Sequence, residues 1–233
     1  MEFERLRRNW ENLGRTDPMW AILTDPSKAG GKWDDAAFFK TGEDDIAWLG
    51  SWLGLHGIDV PKGEALDFGC GIGRLTQALA PHFTTVTGVD VSAPMIELAI
   101  RKNRHAERVR YVCNPRPDLA AFADGSFAFV ASIIVLQHMR KDYALGYLRE
   151  FLRVLRPGGL LFFQIPTAEL KAQPSPLAPA VEQAGETHME MHVTPRTEVL
   201  ATIAAGGGVV LRDEEDRWAG PHWQSYHFAV GRR

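Results

Sequence analysis

The sequence predicts a doubly wound α/β domain on a mostly parallel sheet, and three observations predict it. A short apolar run ending at Ala65-Leu66 leads through Asp67-Phe68 into the turn Gly69-Cys70-Gly71-Ile72-Gly73, and helical spacing follows at Leu75, Leu79 and Ala80. Strand-like and helix-like segments then alternate from residue 64 onward, the pattern of parallel strands joined by helical crossovers. A second strand, Val86-Thr87-Gly88-Val89, ends in Asp90, seventeen residues past Gly73. A carboxylate at that place in such folds binds the two ribose hydroxyls of a nucleoside.

The elements follow in order. Strands are expected near 64–68, 84–90, 109–113, 127–134 and 159–165, with helices near 73–82, 93–103 and 142–155. Arg156-Pro157-Gly158-Gly159 ends a helix and turns into the next strand. Residues 167–187 hold Pro174, Pro176 and Pro179 without sustained periodicity and read as an inserted loop or lid. A helix resumes at about 195–205, with Thr194 as N-cap and Pro195 as its first residue, and stops at Gly206-Gly207-Gly208. Strands near 208–215 and 224–231 bring the count to seven. Before the sheet, two helical patterns (about 2–13 and 43–56) surround Trp20, Trp33, Phe38 and Phe39. The organisation reads as an N-terminal helical cap over 1–60 and a main domain over 61–233 carrying a lid insertion at 167–193, together one compact unit.

Composition excludes several classes. With 45% apolar and 24% charged residues the chain is globular, and its 233 residues can bury a sizeable core in one domain. No apolar run approaches the ~20 residues of a membrane-spanning helix, and the start Met1-Glu2-Phe3-Glu4-Arg5 lacks a signal-peptide apolar region. Two cysteines, Cys70 and Cys113, make no disulfide framework, so a reducing, cytoplasmic setting is expected. A net charge of −3 argues against a nucleic-acid partner. The basic run Arg101-Lys102-Asn103-Arg104 lies on the back half of a helix, where cations favour the dipole.

The glycine turn admits close backbone approach because no Cβ intervenes, and a helix start behind it offers free N–H groups. A dinucleotide fingerprint would need a third glycine at position 74, which is Arg74. Gly69, Gly71 and Gly73 with Asp67 leading them suit a cofactor with a cationic amino-acid end and no pyrophosphate. Here the sequence resembles the class I S-adenosylmethionine-dependent methyltransferases, whose first motif reads acidic-x-G-x-G-x-G. Gly88-Val89-Asp90-Val91-Ser92 with Met95, Asp124-Gly125-Ser126-Phe127 and Arg153-Val154-Leu155-Arg156-Pro157-Gly158-Gly159 fit the same resemblance in order. It covers roughly residues 60–166 closely. It implies a Rossmann-like seven-stranded sheet with an antiparallel last strand, S-adenosyl-L-methionine as cofactor, and methyl transfer to an acceptor.

The resemblance also assigns roles. Asp67 accepts from the cofactor's ammonium, and the backbone of Gly69, Cys70, Gly71, Gly73 and Arg74 borders the methionyl part and the ribose. Asp90 binds the ribose hydroxyls, and Val91 and Met95 flank the adenine. Near the adenine amino group the stretch Cys113-Asn114-Pro115-Arg116-Pro117-Asp118-Leu119 departs from the common pattern. Asp118 with the N–H of Leu119 is favoured there, and Asn114 is the alternative. Relatives often place Asp after the Phe of the next strand; Ala128 stands here, which excludes an acidic catalytic residue at that point. Gln137 is expected to face the methionyl end, and Trp33–Gly42 to fold over it.

Two histidines are candidate bases. His138 leaves the fourth strand at the carboxyl edge of the sheet, where ligands bind in open α/β folds, and an ordinary imidazole takes a proton near neutrality; the alternative is a structural histidine. In extended chain His188, Glu190 and His192 share one face while Met189, Met191 and Val193 share the other. That face allows a metal in principle, but no further ligand cluster accompanies it, so no metal is expected. A substrate-pocket wall with His192 as second candidate base is the competing use. The acceptor is expected to be the O or N nucleophile of a small molecule, a glycan or natural-product intermediate for example. A macromolecular acceptor and a non-catalytic cofactor-binding protein are the alternatives.

Overall fold

The computed structural model describes residues 2–170 and 189–233. Most of the expected lid, and His188 with it, lies outside the described residues. Seven strands, the number the sequence pattern predicts, form a mixed sheet in the spatial order 109–113, 85–90, 64–68, 127–132, 155–169, 223–232 and 208–216. The described residues divide into two compact units. One takes those of Met1–Asp59 and Ala65–Pro115, the other those of Val60–Glu64, Arg116–Pro176 and Met189–Arg233.

The first unit holds α1 (Glu2–Thr16), α2 (Pro18–Ile22), α3 (Asp35–Leu55), β1 (Glu64–Phe68), α4 (Arg74–Leu79), β2 (Thr85–Asp90), α5 (Ala93–Arg101) and β3 (Val109–Cys113). Strands β2 and β3 run parallel, from Val86 beside Val109 to Asp90 beside Cys113. Ser92 starts α5 by accepting the Met95 N–H, with Pro94 in the first turn. The Ser92 hydroxyl also donates to the Trp10 carbonyl of α1 at 3.0 Å, so one side chain caps a helix and anchors a second. Helix α3 approaches α4 at Gly42, where a Cβ would lie 2.3 Å from the Arg74 carbonyl oxygen.

The second unit holds β4 (Phe127–Ser132), α6 (Lys141–Val154), β5 (Leu155–Glu169), a helix Arg196–Ala205 that we label α7, β6 (Gly208–Asp216) and β7 (Trp223–Arg232). Strand β5 runs parallel to β4, and β7 runs antiparallel to both β5 and β6. Its core is aromatic: Phe127, Phe129, Phe151, Phe162, Phe163 and Phe228 are fully buried. The Phe163 and Phe228 rings stack at 4.9 Å. Burying each such ring contributes roughly 1.5–3 kcal/mol against leaving it in water.

Several expectations need correction. Helix α3 begins at Asp35, well before the expected 43, because Asp34 accepts the Ala37 N–H and caps it. A separate helix, α2, precedes it, with Asp17 as cap and Pro18 in its first turn. Pro195, not Thr194, is the cap residue of α7, and it makes no side-chain capping bond. The Arg156–Gly159 segment belongs to β5, which starts directly after α6 at Leu155. Strand β4 ends at Ser132, two residues short of the expected 134, because Ile134 is left-handed with φ 60°.

Candidate functional site

In the first unit the chain leaves β1 through three glycines that all adopt φ values ordinary side chains rarely take: 76° at Gly69, 53° at Gly71 and 88° at Gly73. The turn is tied to the end of β2, since the N–H groups of Gly69 and Cys70 both donate to the Val89 carbonyl at 2.8 and 3.0 Å. A Cβ at Gly73 would sit 2.1 Å from the Tyr111 hydroxyl, and one at Gly71 would sit 2.5 Å from Ile22 Cδ1. The α2 helix therefore lies directly against the turn. Because α4 is six residues long, its dipole adds little at this point.

Asp90 closes the turn from the other side. Its Oδ2 accepts the Gly71 N–H at 2.9 Å and its Oδ1 accepts the Ser92 N–H at 2.8 Å. Each carboxylate oxygen can accept two bonds, so both keep capacity for a pair of hydroxyl donors. Burial raises its carboxyl above the usual range, against the backbone bonds that lower it. Asn114 follows β3 and donates its backbone N–H to the Asp90 carbonyl at 2.8 Å. Met95 is buried, packed where Gly14 of α1 meets α5, and Val91 is half-buried.

Asp67 is fully buried and accepts the Thr76 hydroxyl at 2.6 Å. Desolvation is the main reason that its carboxyl rises to about 6; the nearby charge of Asp90 adds to the rise and Arg74 opposes it. The buried carboxylate of Asp67 and the half-buried one of Asp90, at the ends of β1 and β2, favour a cationic guest beside the turn, because a positive group relieves both. Cys70 is buried too, and burial with the two acidic neighbours pushes its thiol up, so it stays protonated and merely fills the turn. Arg74 leaves the turn and reaches α3, where Nη1 pairs with Asp45 at 2.5 Å and donates to Thr41 at 3.3 Å.

In the second unit Asp118 and Leu119 are committed to local structure. The Leu119 N–H donates to Glu150 at 2.8 Å, so the expected use of that group toward an adenine meets a donor already taken. The Asp118 carboxylate accepts the Ala120 N–H at 3.1 Å and lies 3.7 Å from Arg116.

The histidines are the other centre of this unit. His138 Nδ1 lies 3.0 Å from the Glu190 carbonyl, which can only accept, so Nδ1 carries the proton. Nε2 then accepts from the Gln137 amide at 3.2 Å. Burial drives the His138 pKa down to about 4, so the ring is neutral and both nitrogens are engaged. Gln137 completes a second tie, its carbonyl accepting the His192 N–H at 2.7 Å. Together these residues clamp the segment 190–192 to the turn after β4.

That clamp presents His192. Its Nε2 lies 3.1 Å from the Glu190 carboxylate, which fixes the Nε2–H tautomer and leaves the Nδ1 lone pair available. His192 lines a cavity of about 430 Å³ with Met191, Val193, Trp223, Arg140 and Glu169 among its walls. Met191 and Val193 line it together with His192, although the predicted alternation sets them on the opposite face, because 189–195 form no strand; Trp223 and Glu169 come from β7 and β5 and carry no signal in the sequence. Among the described residues no group of three or more His, Cys, Asp or Glu could hold a metal ion. Among them also no helix is long and apolar enough to cross a membrane.

Comparison with known proteins places this arrangement. Residues 66–163 match the family model described as "Methyltransferase domain". The ubiquinone biosynthesis O-methyltransferase of Xanthomonas campestris pv. campestris is 32% identical over 106 residues, 45% of this chain and 44% of that protein. The protein of the same description from Coxiella burnetii is 35% identical over 116 residues, 48% of this chain and 47% of that protein. The chain thus spans about half the length of the curated relatives it matches. Among solved structures, magnesium protoporphyrin IX methyltransferase from Synechocystis PCC 6803 with bound SAH superposes with a TM-score of 0.69, at 16% identity over 100% of both chains. That likeness shows the class I methyltransferase fold, and S-adenosylmethionine is the cofactor of that class.

Proposed function

We propose that this chain, whose residues 66–163 match the methyltransferase-domain model, is a class I S-adenosylmethionine-dependent methyltransferase that transfers a methyl group to a hydroxyl of a small molecule. The residues of the turn fit the cofactor. Asp90 would take the ribose hydroxyls, Asp67 the ammonium, the backbone of Gly69 to Gly73 the methionyl side, and Asn114 the adenine edge with Val91 and Met95. When bound, the cofactor supplies an electrophilic methyl on a sulfonium. The rest of the chemistry is positioning and one proton transfer.

The acceptor reading rests on one observation, the His192–Glu190 pair on the wall of the 430 Å³ cavity. His192 Nδ1 would take the proton of the acceptor hydroxyl, leaving its oxygen as the nucleophile for the methyl group that the bound cofactor would supply. Glu190 stabilises the imidazolium that forms, the usual work of a carboxylate behind a catalytic histidine. Met191, Val193 and Trp223 offer an apolar and aromatic wall, which suits a flat hydroxylated ring. Relatives described as O-methyltransferases support oxygen as the nucleophile. His138, neutral and doubly bonded, holds the 190–192 segment in place and takes no proton.

Methyl-transfer kinetics against a panel of hydroxylated aromatic compounds tests this reading. His192→Ala should lower kcat by about 10²–10⁴-fold and Glu190→Gln by less, with cofactor affinity unchanged. Wild-type turnover in His192→Ala would exclude it as the base.

A further inference from the structure

Among the described residues Ile134 is the one non-glycine residue with positive φ, at 60°. A β-branched side chain in the left-handed region is costly and persists only where the surroundings over-determine it. Those surroundings form a directed chain of buried polar groups. Asp216 can only accept, and it receives the Ser225 hydroxyl at 2.6 Å, the Trp218 N–H at 3.0 Å and His227 Nδ1 at 3.2 Å. With the Ser225 proton committed to Asp216, its oxygen must accept, and the Gln164 amide nitrogen donates to it at 2.6 Å. The Gln164 amide is therefore oriented, and its Oε1 faces the Ile134 N–H at 3.3 Å. Gln164 and Ser225 are completely buried, and Asp216 and His227 nearly so. Trp218 stacks on His227 at 5.4 Å and shields the pair from water.

Ile134 directly precedes the turn that carries Gln137 and His138, the residues that clamp Glu190 and His192. We propose that Gln164, oriented by Ser225 and Asp216, is a positioning residue that holds Ile134 left-handed and so sets the turn presenting His192. Its consequence for catalysis rests on the reading of His192 given above; its hold on Ile134 does not.

The test is a double-mutant cycle on the full chain with Gln164→Leu and Ile134→Gly, read by amide hydrogen exchange, denaturant unfolding and kinetics. Gln164→Leu should speed exchange at the Ile134 N–H by about tenfold or more. It should raise the acceptor KM several-fold while leaving affinity for S-adenosylhomocysteine within about twofold. In the Ile134→Gly background, where glycine adopts this φ without cost, the stability loss on Gln164→Leu should shrink. If Gln164→Leu does not fold, Ser225→Ala replaces it, because it frees the amide to flip while keeping both ends of Gln164. Additive losses with unchanged exchange at Ile134 would overturn the proposal and leave Gln164 a packing residue. A wild type without methyl transfer would overturn the proposed function instead, and the exchange data and the cycle would still decide the role of Gln164.

Discussion

Replacing Asp67 by Asn should make the unliganded protein more stable above pH 6, although it removes a residue assigned to the cofactor. Burial lifts the Asp67 carboxyl from 3.8 to about 6. The folded state therefore binds a proton more tightly than the unfolded one. The stability this contributes is complete below pH 3.8 and is lost as pH rises through about 6. Roughly two pKa units at 1.36 kcal/mol each make the loss about 3 kcal/mol at neutral pH. Asn keeps an oxygen for the Thr76 hydroxyl but buries an amide NH2 in place of the second oxygen, which takes back about 1 kcal/mol. A net gain of about 1–3 kcal/mol at pH 7.5 follows, vanishing near pH 4. Urea unfolding of both proteins at pH 4, 5, 6 and 7.5 measures it. A stability difference that does not change with pH, or an Asn variant less stable at pH 7.5, would refute the reasoning. The same variant should bind S-adenosylhomocysteine more weakly, since the ammonium then meets a neutral amide.

His138 works in the opposite direction. Its pKa is pushed down to about 4 by burial, so its stability contribution is complete above 6.5 and is lost as pH falls through about 4. His138→Gln should flatten the acid limb of the wild-type stability curve and raise the acceptor KM through a loosened 190–192 segment, without the 10²–10⁴-fold fall in kcat expected of a lost base. Asp90→Ala should weaken S-adenosylhomocysteine binding by about 1–3 kcal/mol in calorimetry, through lost charge-assisted bonds to hydroxyls. Gly71→Ala should cost cofactor affinity by displacing Ile22, whose Cδ1 lies 2.5 Å from the new methyl. Ile22→Ala in the same chain should restore part of it.

The turn and Asp90 were legible because their chemistry is local. Glycines at three positions with φ between 53° and 88° are a backbone demand that other residues meet poorly, and it shows directly in the residue types. His192 and Glu190 were marked by residue type and not by strand periodicity, since 189–195 form no strand and Met191 and Val193 line the cavity with His192. What stayed hidden depends on partners distant in sequence. Nothing near Arg74 marks Asp45 as its partner, and nothing near Leu119 shows that Glu150 takes its N–H. His138 looks like a base in the sequence because its motif position is suggestive. Its burial and its bond to the Glu190 carbonyl appear only once residues 138 and 190 are folded together. The Ile134 conformation is similarly invisible, being imposed from Gln164, Ser225 and Asp216.

The most direct measurement is a single-turnover reaction with S-adenosylmethionine labelled in the methyl group, an excess of enzyme, and a catechol-type acceptor. The product is separated and the labelled atom located by mass spectrometry. The account predicts label on an acceptor oxygen with wild-type protein, and a rate lower by about 10²–10⁴-fold with His192→Ala. Label absent from every hydroxylated acceptor while the cofactor binds normally would contradict it, as would label appearing at the same rate with His192→Ala.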